Sequence, residues 1–91
     1  MEKFINKNVE CKLKSWGYTD EDIVQIKEAV KVCKYYDKND NRISRQKAIE
    51  LIGHDSFING LARAAFHWNS QRYNSNGDES VYFDCKKLFE N

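Results

Sequence analysis

Two histidines and three cysteines are the residues of this chain best suited to hold a transition metal or attack a substrate. His54 and His67 are far apart, and Cys11, Cys33 and Cys85 are farther still, so no pair has the close spacing of a zinc site. The cysteine number is odd and no C-x-x-C occurs, which argues against a disulfide scaffold and predicts reduced, mostly buried thiols. Asp37, Asn39 and Asn41 in DKNDN begin the ligand pattern of a calcium loop. Its obligatory glycine is replaced by Arg42 and its bidentate glutamate by Ala48, so the segment reads as a turn. His67 beside Trp68 reads as a surface or half-buried ring rather than a general base. Ser44, Ser56 and Ser70 fall at helix caps or on a polar face. No nucleophile elbow, phosphate loop or paired acidic motif is present. The expectation is a chain that is not an enzyme and uses no cofactor or metal.

Recognition chemistry is better represented. Between Ile43 and Arg72 the spacing predicts two helices joined at Gly53, and the second presents Asn59, Arg63, His67, Ser70, Gln71 and Arg72 on one strip. Arginine can take guanine O6 and N7 together, and asparagine or glutamine can take adenine. Arg42, Arg45 and Lys47 near the preceding helix are suited to phosphate contacts. Phe66 and Tyr82 stand off the main apolar stripe, where an aromatic side chain can anchor a protein interface.

The elements that must position these residues follow from periodicity. Ile5, Val9, Leu13 and Trp16 are spaced for one face of a first helix, although Val9, Cys11 and Leu13 also alternate as a strand would. Thr19 is suited to cap a second helix, with Asp22 completing a capping box, and Ile23, Ile26, Val30 and Cys33 carry that helix to about Tyr36. Ser44 caps a short helix, about Arg45 to Ile52, that Gly53 stops. Asp55 or Ser56 caps the next, which runs to about Arg72 with Phe57, Ile58, Leu61, Ala65 and Trp68 inward. A mid-helix glycine costs about 1 kcal/mol relative to alanine, so Gly60 marks close approach by another backbone. The turn from Asn74 to Asp78 and the alternation of Val81, Phe83 and Cys85 predict a C-terminal hairpin of Ser80 to Cys85 against Gln71 to Asn74.

The expected fold is mainly α (α+β): one domain, residues 1–91, of three or four helices. It includes a helix-turn-helix-like pair and a short C-terminal β-hairpin, in winged-helix-like order. A chain of 91 residues with 41% hydrophobic and 13% aromatic residues can bury a modest core. Charged residues make up 32% but nearly cancel, to +1, and a nucleic-acid binder usually shows a larger basic excess. Asp78 and Glu79 in the supposed wing would repel phosphates. No apolar run approaches the ~20 residues of a membrane span, and MEKFINKNVE lacks the apolar stretch of a signal peptide, so the expectation is a cytoplasmic protein without membrane contact.

The runs ISRQKAIELIG, SFINGLARAAFHW and VYFDCKKLF, with WGYTDEDI ahead of them, resemble small proteins carried by phages and mobile elements of Gram-positive gut bacteria. The resemblance covers about residues 13 to 89. It implies one of two classes: an anti-CRISPR-like inhibitor or a helix-turn-helix regulator. The inhibitor would occlude a host defence protein or ribonucleoprotein stoichiometrically in the host cytoplasm. On the base-edge chemistry above, the regulator would read DNA through Arg63, Gln71 and Arg72 as a homodimer. The near-neutral charge favours the inhibitor. The resemblance assigns no role to any single residue.

Overall fold

A computed structural model describes residues 4–67 and 72–90, with Arg72 and Tyr73 described by backbone alone. The first helix, α1 (Lys7–Ser15), starts where the Asn6 side chain accepts the Val9 N–H at 3.0 Å. Ile5, Val9 and Leu13 point inward, as their spacing predicts. Trp16 does not continue that face. It sits at the helix C-terminus with 42% of its surface exposed, just before Gly17 turns the chain at φ +100°.

Thr19 and Asp22 form the full capping box of α2 (Asp20–Val32). Ile23, Ile26, Ala29 and Val30 are buried on its inner face. The helix stops at Val32 rather than Tyr36, because Cys33 turns to an extended backbone and Lys34–Tyr36 forms strand β1. Helical spacing predicts continuation here, but the strand finds partners on both sides and buries Tyr35 between the rings of Phe57 and Phe83. The DKNDN segment is a turn. The Asp37 carboxylate accepts the N–H groups of Asn39 and Asn41, each at 2.9 Å, so its oxygens hold the backbone. Strand β2 (Arg42–Ile43) then pairs antiparallel with β1.

Ser44 caps α3 (Arg45–Ile52) by accepting the Lys47 N–H at 3.0 Å. Gly53, at φ +88°, ends α3 and also serves as the N-cap of α4 (His54–Ala64), so neither Asp55 nor Ser56 fills that role. Phe57, Ile58, Leu61 and Ala65 are fully buried. The helix ends at Ala64, short of the expected Arg72, and Trp68 lies outside the described residues.

The C-terminal hairpin consists of β3 (Arg72–Asn76) and β4 (Glu79–Asp84). It does not stand alone as a wing. The other edge of β4 pairs with β1, giving a four-stranded antiparallel sheet of order β2-β1-β4-β3. The mainly α (α+β) class holds, with this sheet larger than the hairpin the sequence predicts. Val81 and Phe83 alternate inward toward the helices, while Ser80, Tyr82 and Asp84 are half-buried on the other face. A 3₁₀ helix, Lys86–Phe89, closes the described chain.

Cys33 and Cys85 are joined by a disulfide, which corrects the expectation of reduced thiols. Lys34 lies opposite Asp84 in the β1–β4 ladder, so the next residues along face each other with Cα atoms 4.3 Å apart. Cys11 remains free and exposed on α1. None of the described helices is long and apolar enough to cross a membrane.

Candidate binding surface

The turn after α1 and the turn after α4 meet at one edge of the helical layer. Gly17 directs Tyr18 across to Phe66, and the two rings stack with centroids 6.4 Å apart and planes 15° from parallel. Gln25 on α2 donates from Nε2 to the Ala65 carbonyl at 3.1 Å, which fixes the second turn against α2. An ion pair from Lys14 to Asp20, 2.9 Å long, spans the first turn. The hydrogen bond and charge of Asp20 hold the Lys14 ammonium above its ordinary pKa. Both turns are therefore fixed by side chains, and they present aromatic surface outward: Trp16 is 42% exposed and Phe66 is 38% exposed.

Arg63 lies next to this patch. It is exposed on the last turn of α4, and its carbonyl accepts the Phe66 N–H at 3.2 Å. It takes part in none of the ion pairs among the described residues. Exposed aromatic rings beside an arginine are the combination that most often dominates protein–protein binding energy. His67 is exposed just beyond Phe66, and Asn59 is half-buried one turn before Arg63. The structure thus brings Asn59, Arg63, Phe66 and His67 along one line. Sequence reasoning missed Trp16 and Tyr18. Their signal was the W-G-Y run, in which a glycine with positive φ ends one helix and re-aims the chain.

The remaining candidates lie elsewhere. Tyr82 is on the outer face of the sheet, edge-on to Tyr36 at 5.9 Å, and Arg42 is exposed beside Tyr36 in the register. Arg45 is half-buried with its guanidinium 4.6 Å from the Phe4 ring centroid, a cation–π contact rather than an open phosphate clamp. Lys47 is exposed in the first turn of α3. Gln71 lies outside the described residues, and of Arg72 only the backbone, paired with Phe83, is described. Among the described residues, the candidates for DNA contact are distributed over β2 (Arg42), α3 (Arg45, Lys47) and the α4 end (Asn59, Arg63, His67).

Helix α4 is also poorly exposed for reading DNA. Phe57, Ile58, Gly60, Leu61, Ala62 and Ala64 are all buried, leaving a narrow strip through Asp55, Asn59 and Arg63. A recognition helix contacts bases mainly through its N-terminal residues, and here that end carries Asp55. The Asp55 carboxylate is hydrogen-bonded to Lys12, which holds it below its ordinary pKa.

A recess of about 260 Å³ lies at the far end of α2, lined by Val32, Lys34, Asp84, Lys86, Lys87 and Glu90. Its three lysines and two carboxylates select no single ligand charge. Among the described residues, no group of three or more His, Cys, Asp or Glu side chains is placed to hold a metal. No protein-family model matches the chain, and no curated protein or solved structure matches it.

Proposed function

We propose that this protein is a non-catalytic inhibitor that binds another protein stoichiometrically and occludes its working surface, acting in the cytoplasm of a host cell. The observation that carries this reading is the aromatic edge where Trp16 and Phe66 are exposed, with half-buried Tyr18 stacked on Phe66, beside the exposed Arg63. A patch of this kind suits a partner offering an apolar pocket rimmed by carboxylate. The sequence resemblance suggests the class of partner: a host defence protein or ribonucleoprotein, with the inhibitor anti-CRISPR-like.

Affinity measurements with purified defence effectors test the proposal. The expected result is a complex of fixed stoichiometry that Phe66→Ala or Trp16→Ala weakens about tenfold or more, with unchanged circular dichroism. Variants that bind as tightly as the parent would overturn the assignment of the surface. The alternative, a DNA-binding regulator, also relies on Arg63. Duplex binding that falls steeply with salt and is weakened by Arg63→Ala would favour it over the inhibitor.

A further inference from the structure

We propose that the face of the sheet turned away from the helices is a platform for single-stranded RNA. Tyr35 and Phe83 turn inward, against the Phe57 ring of α4. Their neighbours along the strands turn outward: Lys34 and Tyr36 on β1, Tyr82 and Asp84 on β4. None of these four belongs to the buried core. Tyr36 and Tyr82 are direct partners in the ladder, both half-buried, with ring centroids 5.9 Å apart and planes at 85°. This edge-to-face pairing occupies one face of one ring, and the opposing ring presents only its edge. Aromatic rings on an antiparallel sheet are the surface on which unpaired bases stack in common single-strand-binding modules. At about 4.8 Å between neighbours, the four strands span about 14 Å, room for two or three bases.

The charges around the rings select a phosphate-bearing partner. Arg42 of β2 sits opposite Tyr36 in the register, and Lys34 lies two residues from Tyr36 on the same face, about 6.6 Å along the strand. That rise is close to the length of one nucleotide in an extended strand. Both cations are exposed, and neither takes part in an ion pair among the described residues. Beyond Lys34 the face runs into the recess that Lys86 and Lys87 also line. Alone, the recess has a mixed charge. Together with Arg42, its lysines outnumber the carboxylates of Asp84 and Glu90, and Asp84 already accepts the Lys86 N–H at 3.1 Å. On the other side of the rings, Ser75 and Ser80 are paired across β3 and β4. Their hydroxyls can donate to and accept from a ribose 2′-hydroxyl, the group that distinguishes RNA from DNA. Bases in a duplex are stacked on one another and cannot lie on a flat sheet, so the occupant is single-stranded. The face shares no residue with the aromatic edge at Trp16 and Phe66, so the inference stands whether or not that edge binds a protein.

Fluorescence anisotropy of the full chain with a labelled, mixed-sequence RNA of about 12 nucleotides tests the proposal. The expected result is saturable binding that weakens steeply with salt. It should be about tenfold or more stronger than for the same sequence as duplex RNA or as single-stranded DNA. Tyr36→Leu keeps the side-chain bulk but removes the stacking ring and should weaken binding about tenfold, whereas Tyr36→Phe should bind like the parent. Lys34→Ala should lower the salt slope by about one. Lys27→Ala removes an equal charge from the helical side, where Lys27 pairs with Glu10, and should leave the slope unchanged. Circular dichroism melts establish that each variant is folded, and the exposed Lys34 carries the test should Tyr36→Leu fail to fold. Absence of binding at low salt, or a folded Tyr36→Leu variant that binds like the parent, would overturn the platform. Equal losses from Lys34→Ala and Lys27→Ala would overturn it too, by showing attraction to net charge alone. Duplex RNA or the deoxy strand binding as tightly as the single-stranded RNA would overturn the assignment of the occupant.

Discussion

Gly60 of α4 faces the ring of Phe83 on β4 so closely that a Cβ built on the glycine would stand 2.5 Å from Cε1 and 2.8 Å from Cζ. Asn74 is pressed into the same place from β3: its Cβ would be 3.1 Å away, and its side-chain amide donates to the Ser56 carbonyl. The glycine is thus a point of close approach between the helical layer and the sheet. Gly60→Ala should gain about 1 kcal/mol of helix propensity. Overpacking against a fully buried ring costs about 1–3 kcal/mol, so the net effect should be destabilising. Urea unfolding will show this as a lowered midpoint, and a raised midpoint would mean that the Phe83 ring yields freely.

Phe57 is the hub of the core. Its ring lies 5.1 Å from Tyr35, 5.3 Å from Phe83 and 5.6 Å from Phe4, and it has no exposed surface. Phe57→Ala should cost about 3–5 kcal/mol, a large share of the stability of a small domain. Chemical denaturation measures it, and a loss below about 1 kcal/mol would mean that the surrounding rings collapse into the space.

Thr19 contributes locally. Its hydroxyl accepts the Asp22 N–H at 3.1 Å, and Asp22 returns the contact to the Thr19 N–H at 3.0 Å. Thr19→Ala should destabilise by about 1 kcal/mol, whereas Thr19→Ser should be close to neutral. Because α2 supports both the aromatic edge and β1, thermal melts of the two variants make a direct comparison. Equal melting temperatures would show that the cap adds nothing.

Acid should loosen the β1–β2 turn. The N–H groups of Asn41 and Asn39 bond the ionised Asp37 carboxylate and hold its pKa below the ordinary 3.8. A depressed carboxylate pKa stabilises the fold fully above the ordinary value, and that contribution disappears as pH falls through the folded value. Carboxyl chemical shifts followed from pH 5 downward should place the Asp37 midpoint below 3.8, with the Asn39 and Asn41 amides shifting together with it. A midpoint at or above the ordinary value would contradict the turn geometry.

Features set by neighbours within a few residues were legible in the sequence. The Thr19–Asp22 box, the Ser44 cap, the Gly53 corner and the Asp37 turn each rest on hydrogen bonds spanning at most four residues. The described part of the inward stripe, Phe57, Ile58, Leu61 and Ala65, was legible too; Phe66 stood off that stripe in the sequence, but its exposure belongs to the turn beyond α4. The strand at Lys34–Tyr36 was not, because local spacing favoured helix and its ladder partners lie in β2 and the distant β4. The Cys33–Cys85 bond was hidden for the same reason, its halves being 52 residues apart. Trp16 fitted an inward helical face, yet its actual surroundings depend on the turn at Gly17 and on where α4 ends. Backbone capping and turn chemistry act over one or two turns of chain, so the sequence by itself determined them. Strand pairing, the disulfide and the composition of the exposed edge depend on which distant segments pack together, and only the tertiary structure decided those.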